Sequence, residues 1–210
     1  MKLTNFAISP NVLEFKDGWF TDFRTNQISI LSDKNSNIIC YKDNYIIKKA
    51  VNTNEYEHLI YSKCFEIPPF IKTIGSFVFY ESVIKSIFIP SQVKEICDHA
   101  FEKCKQLENV EFGKDSNLQI IGSYAFAETN IKIIYIPSSV VEIRESAFDG
   151  CKQLKNFVLN EDSKLTIVGD YAFYNTSITS IYIQSLVYQI GPNSFYDNHK
   201  KSLIIEIDEN

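Results

Sequence analysis

One feature restricts this chain more than any other: an aromatic residue, preceded by a small one, recurs at strictly alternating steps. The positions are Phe79, Phe101, Phe126, Phe148, Phe173 and Phe195, following Val78, Ala100, Ala125, Ala147, Ala172 and Ser194. The steps between them are 22, 25, 22, 25 and 22 residues. Five residues before each Phe stands Ile74, Ile96, Ile121, Ile143, Val168 or Ile190, and eight before stands Ile71, Val93, Leu118, Val140, Leu165 or Val187. A fixed period of about 20–50 residues marks stacked supersecondary units, none of which can bury its apolar side alone. The alternation raises the true period to 47 residues, with the longer units carrying a polar loop at Gly113 to Asn117 and at Asn160 to Lys164.

Between successive Phe positions, aliphatic residues fall at relative positions 1, 4 and 6: Ile84-Ile87-Ile89, Leu107-Val110-Phe112, Ile131-Ile134-Ile136, Leu154-Phe157-Leu159 and Ile178-Ile181-Ile183. Positions 4 and 6 have the period of two of a strand with one buried face. Pro90 and Pro137 follow directly; lacking the N–H that a ladder needs, they end the strand and open a corner. Each repeat therefore reads as a short strand, a bend, a second extended piece ending near Ile-Gly, and a turn bearing the Phe. The Phe column is the expected spine of the core, and Phe126→Ala or Phe148→Ala the most damaging single change.

Residues 1–59 lack the Phe column. Val12 to Phe23 and Ile38 to Tyr61 show alternating strands around Asp-Gly or Asn-rich turns, which predicts β-hairpins capping the solenoid. Divergent repeats and a separate small domain are the other readings of this stretch, with repeats occupying residues 60–210.

At 210 residues, 45% of them hydrophobic, the chain can bury a core without metal or disulfide staples. A net charge of −5 with both signs interspersed leaves no basic face to track phosphates, so no nucleic-acid partner is expected. Met1 to Phe15 holds charges and a proline where a secretory signal would hold an apolar run, and no later stretch is long and apolar enough to span a membrane. The sequence as it stands predicts a soluble chain without membrane insertion. Five cysteines without a C-x-x-C pair (Cys40, Cys64, Cys97, Cys104, Cys151) argue against a disulfide framework and a zinc site.

Nothing marks an enzyme. No nucleophile elbow, phosphate-cradling loop, His-x-x-x-His pair or motif-placed carboxylate dyad is present, so no catalytic residue, metal or cofactor is expected. His58, His99 and His199 lie far apart and read as surface or turn residues. Asn175-Thr176-Ser177 is a glycosylation sequon, relevant only to an exported chain.

The run IKIIYIPSSVVEIRESAFDGCKQL, Ile131 to Leu154, resembles the BspA-like leucine-rich repeat, approximately L-x-x-I-x-I-P-x-x-V-x-x-I-x-x-x-A-F-x-x-C. The resemblance covers residues 60–207; the last repeat fits only with a one-residue insertion, as suits a degenerate cap. It implies a β-rich solenoid of about six repeats with short parallel strands on the concave face. It also implies the surface-antigen role of relatives in oral bacteria and anaerobic protists, adhesion at the cell surface, with a cytoplasmic interaction scaffold as the alternative. Cys104 and Cys151 fill the family's cysteine position two repeats apart, which implies stacked core thiols. At strand spacings of about 4.8 Å their separation of roughly 10 Å exceeds disulfide reach.

On that fold, strand positions 2, 3 and 5 face outward. Phe88, Tyr135 and Tyr182 at position 5 are the expected binding anchors, with Glu111 and Val158 alternating between them. Lys85, Glu108, Lys132 and Lys155 at position 2 complete the expected ligand-binding face for a protein or glycan. The alternative reading is that the aromatics only stabilise the sheet as cross-strand pairs. Six strands give a strip of roughly 240 Å², against about 800 Å² per partner in a standard interface, so flanking loops or avidity must contribute to tight binding.

Overall fold

The computed structural model describes residues 5–8, 27–30, 38–41, 45–49, 56–62, 66–183, 186–196 and 204–207. The hairpin expected over Val12 to Phe23, and His199, lie outside the described residues. Where the repeat is found, the chain coils as a β-solenoid, and each coil contributes two strands. The long strands are β7 (Ser86–Ile89), β9 (Asn109–Phe112), β11 (Ile133–Ile136), β13 (Asn156–Leu159), β15 (Ser180–Ile183) and β17 (Ile204–Ile207). The two-residue strands are β6 (Thr73–Ile74), β8 (Glu95–Ile96), β10 (Ile120–Ile121), β12 (Glu142–Ile143), β14 (Ile167–Val168) and β16 (Gln189–Ile190).

The short strands form the continuous element. They pair in parallel from β6 to β16, each aligned on the next at the conserved aliphatic position, as Ile121 on Ile143 and Ile143 on Val168. At the N-terminal end, β3 (Ile38–Tyr41), β4 (Tyr45–Lys49) and β5 (Tyr56–Ser62) form an antiparallel meander, and β5 joins the ladder by pairing parallel with β6. Ile47 and Leu59 from this meander are fully buried and belong to the same core as the repeats. Further upstream, β1 (Asn5–Ile8) and β2 (Gln27–Ile30) are parallel, with partners 22 residues apart. They thus reproduce the spacing of a repeat where no Phe column is present.

The long strands behave differently. They join only in twos, β7 with β9, β11 with β13 and β15 with β17, each two in a sheet of its own. The 47-residue period has a structural form here. The turn from Phe to the next aliphatic is six residues where it leads into β9 or β13 (Phe101 to Leu107, Phe148 to Leu154) and five where it leads into β11 or β15. The loops also alternate. After β7 and β11 the corner starts at proline, whose carbonyl accepts from Val93 or Val140 at 3.0 Å; after β9 and β13 comes the polar loop. Position 6 is accordingly fully buried at Ile89 and Ile136 but only partly at Phe112 and Leu159.

Inside the coil the Phe rings stack face to face. Centroids of the column from Phe79 to Phe195 are 4.9–5.4 Å apart with planes within 10°. The preceding small residue is explained by the same turn: each Phe N–H donates to the carbonyl of the small residue one coil on, from Phe79 to Ala100 through to Phe173 to Ser194, at 2.7–2.8 Å. A larger side chain at Ala100, Ala125, Ala147 or Ala172, all fully buried, would force the turns apart. Phe195 ends the stack and is only partly buried, and Ile190 in its aliphatic column is 44% exposed.

The turns also impose an unusual backbone. Two residues before each Phe, from Phe77 to Asn193, φ lies between 52° and 62°; two residues after, from Glu81 to Asn175, it lies between 55° and 69°. Only Gly150 among these is glycine. A non-glycine residue there costs about 1–2 kcal/mol, a cost that the inter-coil hydrogen bonds and ring stack must offset.

Candidate ligand-binding face

Alternation along the long strands fixes which side chains leave the core. In β7, β11 and β15 the pattern is exposed, buried, exposed, buried. Phe88, Tyr135 and Tyr182 consequently point outward and are 54%, 63% and 48% exposed. In register Phe88 faces Glu111, Tyr135 faces Val158 and Tyr182 faces Glu206, so no two of these aromatics are ladder neighbours. Tyr135 opposite Val158 is a ring against a β-branched side chain, a cross-strand pair that also stabilises the sheet.

Position 2 supplies charge. Lys85, Lys132 and Lys155 are exposed, as is Glu111 at position 5. Glu108 and Lys132 neutralise one another: Lys132 Nζ donates to Glu108 Oε2 at 2.6 Å across the gap between β9 and β11. That hydrogen bond, and then the ammonium charge, hold the Glu108 carboxyl below the usual carboxylate range. The position-2 residues immediately precede the long strands β7, β9, β11 and β13.

Between β9 and β11 this face opens into a cleft of about 510 Å³, lined among others by Glu111, Gly113, Asp115, Tyr135, Ser138 and Asn160. Nothing in the sequence pattern, in which the long strands form one strip, marks this cleft directly. The only trace in the sequence is the alternation between five- and six-residue turns. A second open groove of about 610 Å³ lies on the turn side, lined by Glu102, Tyr124, Glu128, Asp149, Lys152 and Asn175 among others. There burial, and next the charge of Glu128, push the Asp149 carboxyl up from its usual value.

The cysteine column holds a polar ladder that sequence reading found only in part. Three residues after successive Phe positions stand Ser82, Cys104, Thr129, Cys151 and Thr176. Cys104 Sγ donates to the Phe79 carbonyl at 2.9 Å and Cys151 Sγ to that of Phe126 at 3.1 Å. Thr129 and Thr176 cap Phe126 and Phe173 at 2.9 Å, and Thr129 Oγ1 also lies 3.2 Å from Cys151 Sγ. Both thiols are free and buried, with a hydroxyl between them, and burial pushes each up to about 11. They are structural, far from the depressed values of reactive cysteines.

His99 lies on the turn side, stacked between Phe77 and Tyr124 at 4.5 and 5.1 Å and paired with Glu102 at 2.6 Å. His58 lies in β5, in register with Thr73 of β6. Among the described residues, no group of three or more His, Cys, Asp and Glu is placed to hold a metal ion, and no helix is long and apolar enough to cross a membrane.

The model of the BspA type leucine rich repeat region matches six copies over residues 72–202. No curated protein matches the chain. Among solved structures, it is similar to the pneumococcal vaccine antigen PcpA, with TM-score 0.69 and 24% identity over 82% of this chain and 50% of that one. A leucine rich cell surface protein from Faecalibacterium prausnitzii gives TM-score 0.53 at 24% identity over 74% of this chain and 51% of that one. A leucine-rich repeat protein from Eubacterium ventriosum gives TM-score 0.62 at 16% identity, covering 94% of this chain and 61% of that one. The chain thus spans about half the length of the first two, and at these identities the likeness is one of fold.

Proposed function

As a member of the BspA type leucine-rich repeat family, we propose, this chain is a non-enzymatic binding module. Its role is that of a surface-antigen-like adhesion protein that recognises a host protein or glycan through the concave face of its long strands. The observation that carries this reading is the row Phe88, Tyr135 and Tyr182, three large rings held outward by strand alternation and kept apart by register. Exposed aromatics on a rigid frame anchor interfaces at small entropic cost, because the scaffold has already fixed the backbone. The pneumococcal and Faecalibacterium structures of the same fold are a vaccine antigen and a cell surface protein, which supports the surface setting.

A scaffold for intracellular protein interactions is the second reading, favoured by the buried thiols of Cys104 and Cys151, which form no disulfide. Compartment separates the two. Antibody staining of source cells with and without permeabilisation should label intact cells; signal only after permeabilisation would overturn adhesion and leave the scaffold.

A further inference from the structure

β9 and β11 share no ladder, and the gap between them is bounded differently at its two ends. At the N-terminal end the Glu108–Lys132 ion pair ties the strands together. At the C-terminal end the two chains take different paths. Beyond β9 the loop folds back on the preceding coil, the Gly113 N–H donating to Ile89 at 2.8 Å and the Asn117 N–H to Ser91 at 2.9 Å. A Cβ at Gly113 would meet the Ser91 nitrogen at 2.7 Å, so only glycine permits this approach. β11, in contrast, runs into Pro137. The cleft of about 510 Å³ lies where these two chain paths leave their strands.

Its lining is selective in charge. Glu111 and Asp115 contribute carboxylates, no basic side chain lines the cleft, and neither acid forms an ion pair among the described residues. Beside them stands Tyr135, the most exposed of the three outward rings. We propose that this cleft is a subsite for an arginine side chain of a partner protein, an assignment that rests on the binding role proposed above. A guanidinium is planar and weakly hydrated; it stacks on a tyrosine face while donating to carboxylates from its edge. A neutral sugar would strip water from two carboxylates without returning charge, which disfavours it. The chain's net charge of −5 further favours a basic segment as it approaches. The equivalent gap 47 residues on keeps the ring as Tyr182 and the loop acid as Asp162 but has Val158 in place of Glu111, so the strand carboxylate beside the ring is specific to the first gap.

The test is an amide-resolved NMR titration of the full chain with N-acetyl-arginine amide, its uncharged isostere N-acetyl-citrulline amide, and cellobiose. The arginine probe should shift Gly113, Tyr135 and Ser138, with citrulline at least about fivefold weaker. Glu111→Gln should weaken arginine binding by about the same factor with an unchanged melting temperature, and added salt should weaken it further. Equal binding of citrulline, cellobiose occupying the cleft in place of arginine, or no shift with arginine would each overturn the assignment. If these fail while loss of the three outward rings still abolishes partner binding, the binding face stands and only the arginine subsite falls.

Discussion

Single residues here are governed by where the coil places them. The buried thiols are the simplest case: held to main-chain carbonyls and pushed up to about 11, Cys104 and Cys151 should resist thiol reagents at neutral pH. Ellman's reagent should label them only upon unfolding, and rapid native labelling would contradict their placement. Asp149 makes a pH-dependent prediction. Its folded pKa is raised, first by burial and then by Glu128, so the folded state favours its protonated form. Its contribution to stability is therefore most favourable below the unfolded pKa and declines as pH rises through the folded one. Asp149→Asn should raise the melting temperature at about pH 7 and leave it unchanged at about pH 3. An equal shift at both values would exclude this cause. Glu108 has the opposite sign: lowered by Lys132, it contributes above its unfolded pKa and loses that contribution as pH falls. It is exposed, so its effect is small.

At the scale of elements, stability rests on the Phe stack and on close main-chain contact between coils. Phe126→Ala should cost roughly 3–5 kcal/mol, because the ring is fully buried between two stacked neighbours. Phe195→Ala should cost clearly less, since that ring has one stacking partner in the Phe column among the described residues and is partly buried. Urea titration of both variants checks the order, and equal losses would contradict the stack as the source of stability. Gly122 is a different kind of support. A Cβ there would lie 2.7 Å from the Asp98 nitrogen, so Gly122→Ala should destabilise by about 1–3 kcal/mol although it removes no contact. The Phe and aliphatic columns could be read directly from sequence, because periodic burial imposes periodic composition. The split of the long strands into twos could not. It depends on whether one turn is a residue longer than the next, a difference visible as Phe101 to Leu107 against Phe126 to Ile131 but silent about hydrogen bonding. The outward rings were legible for the same reason as the core, being the alternate residues of the same strands. The Glu111–Tyr135 cleft was hidden because it lies between two strands that share no ladder.

Over the repeats the molecule is a stack in which each coil completes the core of the next, so its faces are repetitive. Six four-residue strands offer a narrow strip, well below the roughly 800 Å² per partner of a standard interface. Affinity must then come from rings set in rigid backbone, from the cleft and loops beside them, or from many copies acting together. The central claim is that the long-strand face binds the partner, and the direct measurement is the binding of purified chain to a panel of immobilised extracellular-matrix proteins. Three proteins should be compared: the unaltered chain, the triple variant Phe88→Ala, Tyr135→Ala and Tyr182→Ala, and a control variant Tyr171→Ala, Tyr188→Ala with exposed tyrosines removed elsewhere. The triple variant should lose at least about tenfold in affinity with its melting temperature preserved, while the control binds as the unaltered chain does. Unchanged binding by the triple variant, with loss in the control, would move the interface off this face and contradict the account.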